Sequence, residues 1–89
     1  MSDNRVFHAL ANADRRHILD LLLERDGRTA SELEHYLPIS RFGVRKHLMV
    51  LRAAGLITTR THGRRTTHHL SSAPIELIRA HWLGKYVGT

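Results

Sequence analysis

Cysteine is absent from this 89-residue chain. That excludes a disulfide framework and any thiolate metal site, and it fits a reducing compartment. Aromatic residues are scarce, at 6% of the chain, so there is little material for the stacking platforms that hold single-stranded nucleic acid. Acid is missing from the middle. Asp3, Asp14, Asp20, Glu24, Asp26, Glu32 and Glu34 precede His35, Glu76 follows Ile75, and nothing between those two residues can carry negative charge. No apolar run approaches the length of a membrane span, and no apolar block near the start resembles a secretory signal. A soluble, cytoplasmic protein that meets no membrane is expected. There are no repeats, low-complexity stretches or linkers, and the length predicts one domain over residues 1–89. A chain this short builds only a modest core, which favours oligomerisation.

The acid-free segment holds Arg41, Arg45, Lys46, Arg52, Arg60, Arg64 and Arg65, half of the fourteen lysines and arginines, in a chain of net charge +6. A block of one sign creates a directed field that suits a polyanion. The bland alternative is a solvated face balanced by carboxylates that the fold brings near.

Apolar periodicity divides the chain into helices and a hairpin. Val6, Phe7 and Leu10 share one face of a helix over 3–11. Asn12 is placed to cap a second helix to about Arg25, with Ile18, Leu19, Leu22 and Leu23 inward and Asp26-Gly27 ending it. Thr29 and Glu32 have capping-box spacing and open a helix to Leu37, before Pro38. Ser40 caps the next helix, 40–54, whose core stripe is Val44, Leu48 and Leu51. Gly55 and then Leu56 follow, the pattern of a Schellman ending. From 56 to 70 the period shortens to two, with His62-Gly63-Arg64-Arg65 as the turn of a hairpin. Pro74 sits in the first turn of a last helix to about Val87, carrying Ile75, Leu77, Ile78, Trp82 and Leu83. The class predicted is mainly α with one β-hairpin: a winged helix-turn-helix of four helices, a two-stranded wing and a C-terminal helix.

At 100° per residue Arg41, Arg52 and Arg45 fall about 60° to about 100° from Val44, and Met49, Phe42 and Lys46 lie further round, away from the core stripe. Early residues of a second helix in such a unit reach base edges in the major groove. An arginine bonds guanine O6 and N7 together, and Phe42 suits a thymine methyl. The DNA-binding set expected is therefore Ser40, Arg41, Phe42, Arg45, Lys46 and His47 on the helix, with Arg60, Arg64 and Arg65 on a wing that lies along the backbone or enters the minor groove. Phe42 has an alternative place against the hairpin or the preceding helix. Arg52 is far enough along to touch backbone or solvent. His47, at the edge of the core arc, suits a buried hydrogen bond as well as a phosphate.

The stretches "FHALANADRRHILDLL", "SRFGVRKHLMVLRAAGLI" and "THGRRTTHHL" resemble the opening, the recognition helix and the wing of ArsR-type winged-helix regulators, a likeness that runs from Arg5 to about Tyr86. Together with "PIELIRAHWLGKY", they are similar to a short group commonly encoded beside, or fused to, START-like ligand-binding domains. The resemblance implies a homodimeric transcriptional repressor on a double-stranded, pseudo-palindromic operator, with a ligand or START-like partner as an open question. It implies subunit contacts through helices 3–11 and 74–87, by Val6, Phe7, Leu10, Ile75, Ile78 and Trp82. Arg45 stands where the wider family often has a small residue.

The family's metal sites need cysteines or paired His and carboxylate ligands on the last helix. Here that helix offers Glu76 and His81, five apart and on different faces, while His68 and His69 alternate across a strand. No metal or cofactor is expected. Nor is an enzyme: there are no paired carboxylates in one motif, no nucleophile with its base and no phosphate-binding glycine loop. The competing reading is a winged-helix module for protein or RNA.

Overall fold

The computed structural model describes residues 3–88; Met1, Ser2 and Thr89 lie outside the described residues. The order is α1 (Asp3–Leu10), α2 (Ala13–Glu24), α3 (Ala30–Glu34), α4 (Arg41–Ala53), β1 (Ile57–His62), β2 (Arg65–Leu70), α5 (Ala73–His81) and a 3₁₀ turn, Leu83–Tyr86. This is the winged helix-turn-helix arrangement read from the pattern.

Local chemistry sets most boundaries. The Asn12 side chain accepts from the Arg15 amide at 3.1 Å and starts α2. Thr29 and Glu32 make a complete capping box at α3, and Ser40 accepts from the Gly43 amide at 3.1 Å to start α4. Each such cap satisfies an amide that has no partner within its helix. Helix α4 ends in a full Schellman motif: Leu56 N donates to Leu51 O and Gly55 N to Arg52 O, both at 3.0 Å, with Gly55 at φ +76°. The hairpin pairs Ile57 with Leu70 through His62 with Arg65. Its two-residue turn has Gly63 at φ +61°, the positive φ that both tight hairpin turn types require at this position.

Three boundaries differ from those expected. Helix α1 stops at Leu10 because side chains take its last carbonyls: Arg15 donates to Ala9 O at 2.8 Å and His8 O at 3.0 Å, and Arg16 to Leu10 O at 2.7 Å. Helix α3 is shorter than 29–37. His35 and Tyr36 bond back three residues, to Glu32 and Leu33, and Pro38 disfavours a helical Leu37. Helix α5 does not reach Val87. It breaks at Trp82 (φ −142°, ψ −60°), and the chain folds back so closely that a Cβ on Gly84 would lie 2.7 Å from the Arg79 carbonyl oxygen.

The core is one cluster running from α1 to α5. Ile18, Leu22, Leu33, Val44, Leu51, Leu56 and Ile57 are its most buried members, and each large aliphatic withdrawn from water contributes about 1.5–3 kcal/mol. Val6 (0% exposed) and Ile78 (3%) belong to this core. Their assignment to a subunit contact is therefore corrected: α1 and α5 pack on the rest of the domain and spend those two side chains inside one chain.

The loop between α2 and α3 joins the hairpin. His68 N donates to Arg28 O at 2.8 Å and Gly27 N to His68 O at 3.0 Å. Asp26 accepts from the Leu70 amide at 2.7 Å and lies 3.1 Å from His69 Nδ1, while His69 Nε2 lies 2.7 Å from Thr67 Oγ1. These bonds fix the wing's base to the helices, which sets the angle between wing and α4.

Candidate nucleic-acid interface

Because Val44, Leu48 and Leu51 are buried, α4 must turn its other side outward. Arg41, Phe42, Arg45, Lys46, Met49 and Arg52 are exposed there. Phe42 is 81% exposed and does not tuck against the hairpin. A Cβ on Gly43 would make only ordinary contacts, 3.4 Å to Ile39 Cδ1 and 3.5 Å to Ser40 Oγ, so packing within the domain does not require a glycine there.

An open groove of about 750 Å³ runs between the start of α3, the exposed face of α4 and the hairpin. Arg45 and Arg52 stand on one wall, Arg64 and Arg65 on the other, with Leu48 and Met49 between. Serine, threonine, alanine and His68 complete the lining, and no carboxylate does. Strand alternation decides which hairpin residues look this way. Thr59, Thr66 and His68 line the groove, so Arg60, next to Thr59 and exposed, points to the opposite side. By the same register Arg65, paired with His62, starts from Arg60's face, but at the turn end it reaches the groove, which Arg60 does not line.

Two expected cations have acidic neighbours. Arg65 lies 3.5 Å from Glu32, which also pairs with Arg25, and Arg41 lies 3.8 Å from Glu34. For these two the bland alternative holds: the fold brings a carboxylate near. The helix packing of α3 on α4 and on β2 brings in Glu32 and Glu34 from outside the basic segment. The amide of Thr29 and the guanidinium of Arg25 hold the Glu32 carboxyl below its ordinary range. Both contacts are solvent-exposed and weak in salt.

His47 is also reassigned. Its Nδ1 lies 3.2 Å from Arg15 NH1 and its Nε2 3.9 Å from Asp14 Oδ2, so the ring ties α4 to α2 and faces away from the exposed arc. Arg15 can only donate, so Nδ1 is the acceptor in this contact. Among the described residues no three His, Asp or Glu side chains gather as a metal site, and no helix is long and apolar enough to cross a membrane.

Phe7, Ile75 and Trp82 of the expected subunit contact are exposed, with Leu10 half-buried. Phe7 stacks edge-on to Trp82 at 5.5 Å, and Trp82 to Tyr86 at 5.3 Å. Tyr86 joins this cluster from the 3₁₀ turn, four residues past Trp82, a spacing that an unbroken helix also brings to one face.

A family model, Helix-turn-helix domain, matches residues 10–60. The uncharacterized HTH-type transcriptional regulator YuzN of Bacillus subtilis strain 168 is 34% identical over 84 residues, spanning 88% of this chain and 91% of its own. An ArsR-like transcriptional regulator from Rhodococcus sp. RHA1 is similar in structure, with a TM-score of 0.73 and 33% identity over 94% of this chain and 83% of that one. The homodimeric winged helix-turn-helix DNA-binding domain Mb0332 of Mycobacterium bovis shares the fold at 24% identity and a TM-score of 0.73, over 96% and 79% of the two chains. The chain belongs to the ArsR family of winged helix-turn-helix transcriptional regulators. Its work is DNA binding in the control of transcription, and its relatives are regulators rather than enzymes.

Proposed function

We propose that the protein is a homodimeric repressor that reads a pseudo-palindromic operator, with α4 in the major groove and the hairpin against the backbone or minor groove. The observation that carries this reading is the groove beside α4, walled by Arg45, Arg52, Arg64 and Arg65 and lacking any carboxylate. Such a surface lowers the energy of a polyanion along its whole length. Arg41, Phe42, Arg45 and Lys46, exposed on the first turns of α4, are assigned to base edges and Arg64 and Arg65 to phosphates. The amides at the Ser40 end of α4 suit a further phosphate. Arg60 is placed at the outer side of the wing, and His47 is given a structural role.

The aromatic cluster of Phe7, Trp82 and Tyr86, with Ile75 near it on α5, supports a second copy as the partner of α1 and α5. Exposed aromatics gathered on terminal helices are characteristic of contact surfaces. Two α4 helices held about one duplex turn apart then read two half-sites.

The test is a fluorescence-anisotropy titration against the DNA upstream of the protein's own gene, with scrambled duplex as competitor. Specific binding whose log K falls with log salt at a slope of roughly −5 to −7, as for six to eight neutralised phosphates, is expected. Equal affinity for operator and scrambled duplex removes the reading.

A further inference from the structure

His68 has no part in the reading above, yet it lines the groove. It is only 8% exposed, its ring lines the groove, and its Nδ1 is buried with no hydrogen-bond partner. Its backbone is bonded on both sides, to Arg28 and Gly27, which holds the residue at the wing's base beside the groove. A buried polar atom without a partner is costly, and most are satisfied in native proteins.

The charges around it are of one sign. Arg45 and Arg52 face it from α4, Arg64 and Arg65 stand on the hairpin, and Arg28 is its bridge partner on the loop. His69, the next residue, turns to Asp26 on the other side of the strand. The nearest acid on the α3 side, Glu32, is engaged by Arg25 and Arg65. What is missing from this surrounding is an acceptor that carries negative charge.

We propose that the groove is a phosphate site in which a backbone oxygen of duplex DNA meets the imidazole of His68 between Arg45 and Arg52, and that His68 takes up a proton from solvent as the phosphate enters. The proposal rests on the operator reading for the source of the phosphate. It adds a contact residue and a pH dependence that the exposed arginines alone do not provide. In the free protein burial holds the His68 pKa below its ordinary value, and Arg52, His69 and Arg45 push it further down, so the ring is neutral near pH 7. An entering phosphate reverses both influences: it supplies an acceptor and offsets the guanidinium field. The protonated ring is favoured in the complex, and DNA affinity rises as pH falls.

The experiment has two arms on the intact protein. In the first, duplex affinity is measured from about pH 7.5 to about pH 6, the range in which histidine titrates, for wild type, His68→Phe and His68→Gln. The expected result is a rise of roughly three- to tenfold per half-site in wild type, since one proton taken up gives at most tenfold per pH unit, and a rise at least twofold smaller in both variants. In the second arm, NMR follows the His68 ring protons of DNA-free wild type through a pH titration with and without pyrophosphate. The midpoint is expected to move up when pyrophosphate is present. Identical pH profiles for wild type and variants, or a midpoint that pyrophosphate leaves unmoved, overturns the proposal. If no duplex binds specifically but pyrophosphate moves His68, the phosphate site stands and the operator reading falls.

Discussion

Arg15 NH1 lies 3.2 Å from His47 Nδ1, joining α2 to α4, while the same guanidinium donates to the carbonyls of Ala9 and His8 at the end of α1. One buried side chain therefore connects the helix assigned to DNA with the helix assigned to the subunit contact. Replacing it with alanine removes the donor of Ala9 O and His47 Nδ1, while His8 O keeps the Ala11 amide. Arg15→Ala is expected to lower stability by about 2–4 kcal/mol, read from urea unfolding. Arg15→Lys should recover little, because an ammonium cannot span the same fork; full recovery by lysine would show that only the charge matters.

Gly55 is the left-handed residue of the α4 ending. Gly55→Ala is expected to cost about 1 kcal/mol, with the far-UV circular dichroism spectrum unchanged. The space around it is ordinary, since the nearest atom to an added Cβ is Pro74 Cγ at 3.5 Å, so the loss measures backbone strain and not collision. An unchanged midpoint in urea contradicts the role given to this turn.

Arg45 and Arg64 stand on opposite walls of the groove and should behave differently. Arg45→Ala is expected to lose about 1–3 kcal/mol of discrimination between operator and altered duplex. Arg64→Ala should weaken all duplexes alike and reduce the salt slope by about 1. Competition binding on a small panel of altered half-sites separates the two. Parental behaviour in both variants would move the interface elsewhere.

Asp26 makes the wing's attachment sensitive to acid. Burial opposes its ionisation, but the Leu70 amide and the His69 ring outweigh burial and hold its carboxyl below the ordinary 3.8. The unfolded chain therefore binds the proton first as pH drops. The stability Asp26 contributes is full above the unfolded value and disappears as pH falls through the lower, folded one. The difference in unfolding free energy between wild type and Asp26→Asn should be constant above about pH 5 and shrink below about pH 4. A difference that does not change with acid would assign the effect to packing alone.

Trp82 lies between Phe7 and Tyr86 at the outer side of α1 and α5. Trp82→Ala is expected to weaken self-association at least tenfold in sedimentation while the monomer stays folded, because truncating a central aromatic at a contact commonly costs about 2 kcal/mol or more. A wild-type protein that sediments as a monomer at micromolar concentration removes both the dimer and the palindrome.

Helix starts at Asn12, Thr29 and Ser40, the Schellman exit at Gly55, the hairpin turn at Gly63 and the Val44–Leu48–Leu51 stripe were all legible in the sequence. Each depends on contacts within a few residues, and such contacts form wherever the right side chains stand at the right spacing. The excess of cations between His35 and Ile75 was equally visible, since net charge does not depend on folding. Tertiary structure alone decided the rest. It buried Val6 and Ile78 in one chain's core, and it turned His47 to Arg15 when the same helical arc permitted a phosphate. It brought Glu32 and Glu34 to two of the cations, put Arg60 behind the wing through strand register, and left His68 without a partner among arginines. These outcomes depend on separate elements meeting in space, as Arg15 meets His47 and Glu32 meets Arg65, and no local pattern encodes which of two amphipathic faces a neighbour will cover.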